Sequence, residues 1–335
     1  MELVDQALSG NRRALARLIS QVEDDDSLAA QTLAAIFART GRARVVGVTG
    51  SPGTGKSTLV SELAKAYRGA GQTVGIVAVD PTSPFTGGAI LGDRIRMRDL
   101  AGDSGVFIRS MATRGSLGGL ARATADVVQI LDATGYDIIF VETVGAGQSE
   151  VDIARTADTT IVVEAPGLGD EVQAIKAGIL EIADVLVVNK ADREGVTNTV
   201  RALQAMLDLG AAPRAVSHHG VSMSVDSVGR NPHFALEEPA WRPPIVQTVA
   251  LESKGIEQVI EAIAHHQAYL AASGEAQMRF RKRIKSELEA ILRETLLRQL
   301  MAGLSPSDLD RMVERIAARE LDPYTAAERL LAPRS

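Results

Sequence analysis

Apolar residues recur every three or four positions at the start of the chain, as Leu15, Leu18, Ile19 and Val22 and then Leu33, Ile36 and Phe37. That spacing predicts amphipathic helices over residues 1–40, with Gly10-Asn11 and the acidic run Glu23-Asp24-Asp25-Asp26 as the breaks. From Arg44 the pattern changes. Short apolar runs at Val45–Val48, Val74–Val79, Val106–Ile108, Ile138–Val141, Thr160–Val163 and Val185–Val188 alternate with helical stretches. Alternation of this kind predicts an α/β fold, a mostly parallel β-sheet flanked by crossover helices. Residues 217–244 keep no period and carry His218-His219-Gly220, Gly229-Arg230-Asn231-Pro232 and Pro243-Pro244, so an irregular connection is expected before a last strand at Ile245–Val249. From about Gly255 the chain is helical and strongly charged, and Arg281–Leu300 sets Ile284, Leu288, Ile291, Leu292 and Leu296 on one apolar stripe. The stripe fits packing within its own domain or self-association. The expected division is therefore a helical extension at 1–42, an α/β domain at 43–253 and a helical region at 254–335.

Composition narrows the functions available. Lys and Arg number 36 against 42 Asp and Glu, a net charge of −6, and aromatic residues are 3%. Such a chain lacks the positive field and the stacking surfaces that nucleic acid requires. The start, Met1-Glu2-Leu3-Val4-Asp5, has no basic or apolar leader, and no segment approaches the ~18 apolar residues of a membrane span. The expectation is a cytoplasmic protein with neither nucleic-acid nor membrane partners. Cysteine is absent, which removes disulfides, thiolate metal sites and cysteine nucleophiles. The five histidines include two adjacent pairs, and nothing completes a ligand set around them at metal spacing.

The chemistry is concentrated in four stretches. Gly50-Ser51-Pro52-Gly53-Thr54-Gly55-Lys56-Ser57-Thr58 contains a complete G-x-x-x-x-G-K-[ST] motif between an apolar strand and a helix. Gly53 and Gly55 let backbone N–H groups turn toward phosphate oxygens, and the helix start adds its positive end. Lys56 would reach the β- and γ-phosphates and the Ser57 hydroxyl would meet Mg²⁺. Asn189-Lys190-Ala191-Asp192 follows the run Val185–Val188. The Asp192 carboxylate can accept from guanine N1–H and the exocyclic amine, whereas adenine offers neither donor in that geometry, so GTP or GDP is the expected ligand rather than ATP. Lys190 would lie along the purine plane and Asn189 would tie this loop to the phosphate side. Leu251 and Ser253, after the last strand, stand where backbone contact with the guanine oxygen is expected.

Glu142 ends the apolar strand Ile138–Val141 and precedes Gly145. The acid would face Mg²⁺ through water, and Gly145 would bring an N–H to the γ-phosphate and act as a switch hinge. Many GTPases set a Gln directly after that glycine to orient water, but here Ala146 stands there and Gln148 follows two positions on. Slow unaided hydrolysis, completed by a partner, is the expectation. Asp80, at a strand end before Pro81, and Asp93, in the glycine-rich stretch Gly87–Arg94, are candidates for holding Mg²⁺ or water. Their rivals are an Asp-Pro turn and a solvated loop acid.

Taken together, Val79-Asp80-Pro81-Thr82-Ser83 with Gly87–Arg94, Glu142–Glu150 and Trp241-Arg242-Pro243-Pro244 resemble the MeaB/ArgK-type P-loop GTPases over essentially the whole chain. The resemblance implies a GTPase that chaperones an adenosylcobalamin-dependent acyl-CoA mutase, most often methylmalonyl-CoA mutase. Such a protein gates cofactor delivery from the cobalamin adenosyltransferase and protects the mutase. It further implies a homodimer built through the C-terminal helices, and a switch segment at Gly169–Lys176 in which Asp170, Gln173 and Lys176 pass the nucleotide state to the partner. Mutases for isobutyryl-CoA or 2-hydroxyisobutyryl-CoA are equally compatible, and Pro213–Glu238 matches no family pattern. A metallocentre-insertion GTPase is the rival of a different class, disfavoured by the missing cysteines. A transport-linked kinase of the LAO/AO type is a third reading, disfavoured by the guanine signature.

Overall fold

The computed structural model describes residues 2–24, 26–80, 97–112, 117–143, 153–154, 156–167, 181–211, 215–218, 221–224 and 241–331. Its centre is a seven-stranded parallel sheet of β1 (Arg44–Thr49), β2 (Val74–Asp80), β3 (Val106–Ala112), β4 (Ile138–Thr143), β5 (Thr159–Glu164), β6 (Val185–Val188) and β9 (Ile245–Gln247). The order across the sheet is β3-β2-β4-β1-β5-β6-β9. Every pairing is parallel, so the loops that leave the strands all emerge at one edge.

Alternate residues of each strand supply the two faces, as the two-residue period of a strand requires. Val46, Val48, Ile138, Phe140, Ile161, Val163, Val185 and Val187 join one buried cluster. Helices α4 (Lys56–Gly69), α5 (Arg98–Ala101) and α8 (Ile256–Ser273) close it with Leu59, Leu63, Leu100, Ile256, Val259 and Ile263. Val45, Val77, Val79, Ile139 and Val141 enter the opposite cluster. There they meet α6 (Leu117–Ala133) and the N-terminal helices α1 (Glu2–Leu8), α2 (Arg12–Asp24) and α3 (Asp26–Ile36). Leu15, Leu18 and Ile19 are at most 3% exposed, so α2 packs into the cluster on this face of the sheet. A third cluster covers the β6 side of that face through α7 (Val196–Ala211), with Leu203 on Val162, Leu186 and Val188. The chain divides into two compact units, Met1–Ala276 and Gln277–Ser335. The helical region expected at 254–335 thus contributes its first helix, α8, to the core of the first unit.

The sequence pattern predicts an irregular connection across 217–244; residues 219–220 and 225–240 of it lie outside the described residues, and its described start holds two short paired strands. Strands β7 (Ala215–His218) and β8 (Val221–Ser224) pair antiparallel in a sheet of their own, from Ala215 opposite Ser224 to His218 opposite Val221. Strands of four residues are too short to display a period, which is why the hairpin is invisible in the hydropathy pattern. The last strand stops at Gln247 rather than Val249, because Val249 turns back to bridge Lys254. The second unit carries most of α9 (Glu275–Gly303), followed by α10 (Pro306–Ala317) and α11 (Pro323–Leu331). Ser305 opens α10 with a capping box: its hydroxyl accepts from the Asp308 N–H and its own N–H reaches the Asp308 carboxylate. No described helix is long and apolar enough to cross a membrane.

Candidate functional site

The site is built where β1, β4, β6 and β9 end. Strand β1 hands over to α4 through residues 50–55, and two glycines there have positive φ and no room for a Cβ without a shift of their neighbours. Gly50 has φ 134°, and a Cβ on it would lie 2.1 Å from the Val163 carbonyl oxygen of β5. Gly55 has φ 94°, and a Cβ would lie 2.4 Å from Asn189 Nδ2. The last glycine of the phosphate loop is therefore required both by its left-handed backbone and by the arrival of a side chain from the far loop.

Within the loop, the Thr54 hydroxyl donates to the Ser51 carbonyl at 2.9 Å. The Lys56 ammonium, 5% exposed, donates to the Gly50 and Ser51 carbonyls at 2.8 and 2.9 Å. Its charge is thus held directly over the loop, as phosphate capture needs. Pro52 and Gly53 are exposed at the loop tip, while Ser57 and Thr58 lie half-buried in the first turn of α4. Ser57 Oγ donates to Glu142 Oε1 at 2.5 Å, joining the helix start to the end of β4. Glu142 is buried beside β1, opposite Val48, and the Thr143 hydroxyl next to it donates to Thr49 Oγ1 at 3.1 Å.

On the other side, Asn189 follows β6 and is 3% exposed. Its Nδ2 donates to the Thr54 carbonyl at 2.9 Å, and its Oδ1 accepts from the Thr248 hydroxyl at 3.0 Å and from the Ala250 N–H at 3.1 Å. One amide therefore fastens the phosphate loop to the loop after β9. Lys190, at φ 56°, donates from Nζ to the Gly53 carbonyl at 2.5 Å. Asp192 is exposed in a turn closed by Arg193 N–H to the Lys190 carbonyl and by Ala191 N–H to the Thr248 carbonyl, both at 3.0 Å. The Lys254 ammonium is held above its ordinary pKa by its hydrogen bond to Glu252 and, more weakly, by the charge of Asp192. Leu251 is 88% exposed on that turn, and Ser253 has φ 55°. Non-glycine residues with positive φ store strain, and Lys190 and Ser253 place two of them around the same site.

The structure brings together Gly50 through Thr58, Glu142, Asn189, Lys190, Asp192, Leu251 and Ser253 at this edge. The backbone of Asp80 ends β2, whose neighbour is β4, and its side chain lies outside the described residues. Asp93, Gly145, Asp170, Gln173 and Lys176 lie outside them altogether. Ala250 opens the Ala250–Gly255 stretch expected to face the guanine oxygen, whereas Thr248 is not expected from the sequence, nor is the bond of either residue to Asn189. Their signal is Thr248-Val249-Ala250 directly after the last strand, legible only once Asn189 is known to point there. Among the described residues no group of three or more His, Asp or Glu is arranged to hold a metal ion. The oxygen pair Ser57 Oγ and Glu142 Oε1 does fit a hard divalent cation of the Mg²⁺ type, which takes few protein ligands and completes its shell with water and phosphate.

A strand, a glycine-bearing phosphate loop, a helix, a buried acid on the adjacent strand and an Asn-Lys-x-Asp turn clamped to that loop define a P-loop nucleotide-binding protein of the GTPase class. Comparison with known proteins agrees. The family model described as methylmalonyl-CoA mutase-associated GTPase MeaB matches residues 15–305. A Pyrococcus abyssi protein carrying a GTPase name is 47% identical over 98% of this chain and 95% of its own length. The GTPase ArgK of Escherichia coli is 33% identical over 98% of this chain and 95% of its own. The mitochondrial methylmalonic aciduria type A homolog of mouse is 32% identical over 85% of this chain and 64% of its own length. A solved structure of an LAO/AO transport system kinase superposes with a TM-score of 0.68 at 28% identity, covering 98% of this chain and 95% of that one. The chain belongs to the MeaB family of GTPases: it binds guanine nucleotide and hydrolyses GTP.

Proposed function

We propose that this GTPase is a chaperone of an adenosylcobalamin-dependent acyl-CoA mutase, with methylmalonyl-CoA mutase first among the candidates, and that it gates cofactor loading and protects the mutase. The observation that carries the reading is the family match across residues 15–305, whose description names that mutase. The mouse relative's name, drawn from methylmalonic aciduria, points the same way. The cobalamin adenosyltransferase is the natural donor for such a loading step.

In this reading the phosphates of GTP lie in loop 50–55, and Lys56 leaves the Gly50 and Ser51 carbonyls to neutralise the β- and γ-phosphates. Ser57 would ligate Mg²⁺ and Glu142 would meet it through water, with Asp80 and Asp93 as further contacts to the ion or to water. When bound, the ion supplies positive charge to the phosphate oxygens. Water attacks the γ-phosphorus, the bond to the β-phosphate oxygen breaks, and GDP and phosphate leave. The backbone N–H of Gly145 senses the γ-phosphate, and Asp170, Gln173 and Lys176 relay its presence to the mutase. Since Ala146 stands where a water-orienting Gln would, hydrolysis is slow until a partner completes the site.

Guanine is read by Asp192, with Lys190 along the ring and the 250–253 turn at the guanine oxygen. The apolar stripe of α9 supports a homodimer: Ile284, Leu288, Ile291, Leu292 and Leu296 are all exposed, and α9 buries no residue. The base assignment is tested by Asp192→Asn, which exchanges a double acceptor for an amide and shifts preference from guanine to xanthine nucleotides. An unchanged preference would move the base site elsewhere. The mutase assignment is tested by co-purification with candidate adenosylcobalamin-dependent mutases, where absence of any complex would leave a GTPase without this partner.

A further inference from the structure

The 249–254 turn has an odd construction. Ser253 sits at φ 55°, ψ 17°, a left-handed conformation that is strained for a residue with a Cβ unless something holds it. Its hydroxyl donates to Glu62 Oε2 at 2.7 Å, across 191 residues of sequence. Glu62 belongs to α4, the helix that begins at Lys56 and whose N-terminus carries the phosphate loop. Its other oxygen, Oε1, accepts from Lys65 Nζ at 2.7 Å, one turn along the same helix, so both carboxylate oxygens have a partner. The same turn is attached to the phosphate loop on its other side through Ala250 N–H and Asn189. The turn is thus pinned at both ends to elements that bind phosphate.

We propose that Glu62 is a positioning residue for the guanine site: by accepting the Ser253 hydroxyl it holds the left-handed turn that sets the Ala250–Leu251 backbone against the base. This rests on the reading that guanine occupies the pocket between Asp192 and that turn. Without the tether, Ser253 relaxes out of the left-handed region, and the 250–252 backbone moves away from the guanine oxygen. The phosphate loop keeps its own contacts through Lys56, Thr54 and Asn189. The consequence falls on recognition of the base and spares recognition of phosphate.

The test uses the full-length protein, with fluorescent GDP as probe and inorganic pyrophosphate as a competitor that reaches the phosphate loop alone. Glu62→Ala and Ser253→Ala should each weaken GDP binding about tenfold, the scale of one hydrogen bond to a charged acceptor. The double variant should lose no more than either single one, because both remove the same bond. Glu62→Gln should recover most of the affinity, since its amide oxygen can still accept the hydroxyl. Ser253→Gly should recover part of it, since glycine adopts the left-handed turn without a tether. Pyrophosphate competition should be equal in all of them. Alanine variants that bind GDP as tightly as the parent would overturn the proposal, as would a parallel loss of pyrophosphate binding, which would mark Glu62 as a support of α4 only. Asp192→Asn is the control that separates the two ideas. If it switches base preference while Glu62→Ala does nothing, only the tether is wrong; if it switches nothing, the base assignment fails and the tether with it.

Discussion

Removing the side chain of Asn189 tests whether one amide couples the two halves of the nucleotide site. Asn189→Ala leaves three groups without their partner: the Thr54 carbonyl, the Thr248 hydroxyl and the Ala250 N–H, bonded at 2.9, 3.0 and 3.1 Å. Thr54, Thr248 and Ala250 are 0%, 1% and 2% exposed, so water cannot readily replace the amide. At about 1 kcal/mol for each buried group left unsatisfied, the lower end of the usual range, the cost is about 3 kcal/mol. If the bonds serve to hold the base turn and the phosphate loop in register, the cost appears in binding, as a loss of roughly a hundredfold in GDP affinity at 1.4 kcal/mol per tenfold. If they serve folding alone, it appears as a lower melting temperature with binding preserved at temperatures where the protein is folded. Titration calorimetry with GDP and a thermal melt of the same preparation separate these outcomes. GDP affinity within threefold of the parent at 25 °C would refute the coupling argument.

Two further outcomes follow from the same geometry. Lys56→Ala should abolish measurable GTP hydrolysis, because it removes the one ammonium held over the Gly50 and Ser51 carbonyls; a phosphate-release assay that still shows parental turnover would place catalysis elsewhere. Asp137, at the entry to β4, accepts from the Thr73 N–H at 2.7 Å and the Thr73 hydroxyl at 2.8 Å, and the backbone bond above all holds its carboxyl below the usual range. A carboxyl depressed in the folded state adds stability above its unfolded pKa of about 3.9, and that stability is lost as pH falls through the lower folded value. Asp137→Asn should therefore flatten the acid limb of the stability curve below about pH 4. The difference should stay under about 1 kcal/mol, since the group is mostly exposed and screened. Urea melts at pH 7 and pH 3 that show the same gap between variant and parent would contradict this.

The sheet was legible because its strands run through a buried interior and read as near-continuous apolar runs, with alternate residues going to opposite clusters. The phosphate loop and the Asn-Lys-x-Asp turn were legible because each is a local string whose chemistry is carried by neighbouring residues. What the string could not tell is why Gly55 must be glycine. The answer is a side chain that arrives from Asn189, far along the chain. Thr248 and Ala250 bind Asn189 across 59 and 61 residues, and Glu62 reaches Ser253 across 191, so none has a local signature. The helices at 2–36 had the right period but no sign of their destination, since an apolar stripe does not name the surface that buries it. The same holds for α8, whose Val259 and Ile263 complete the cluster on the α4 face.

The central claim is that this GTPase works with an adenosylcobalamin-dependent mutase, and single-turnover GTP hydrolysis with and without purified mutase tests it most directly. The account predicts slow hydrolysis alone and a rise of at least tens-fold on adding the cognate mutase, as expected when a partner completes a transition-state clamp. An unchanged rate across the methylmalonyl-CoA, isobutyryl-CoA and 2-hydroxyisobutyryl-CoA mutases, or a fast rate in the isolated protein, would contradict it.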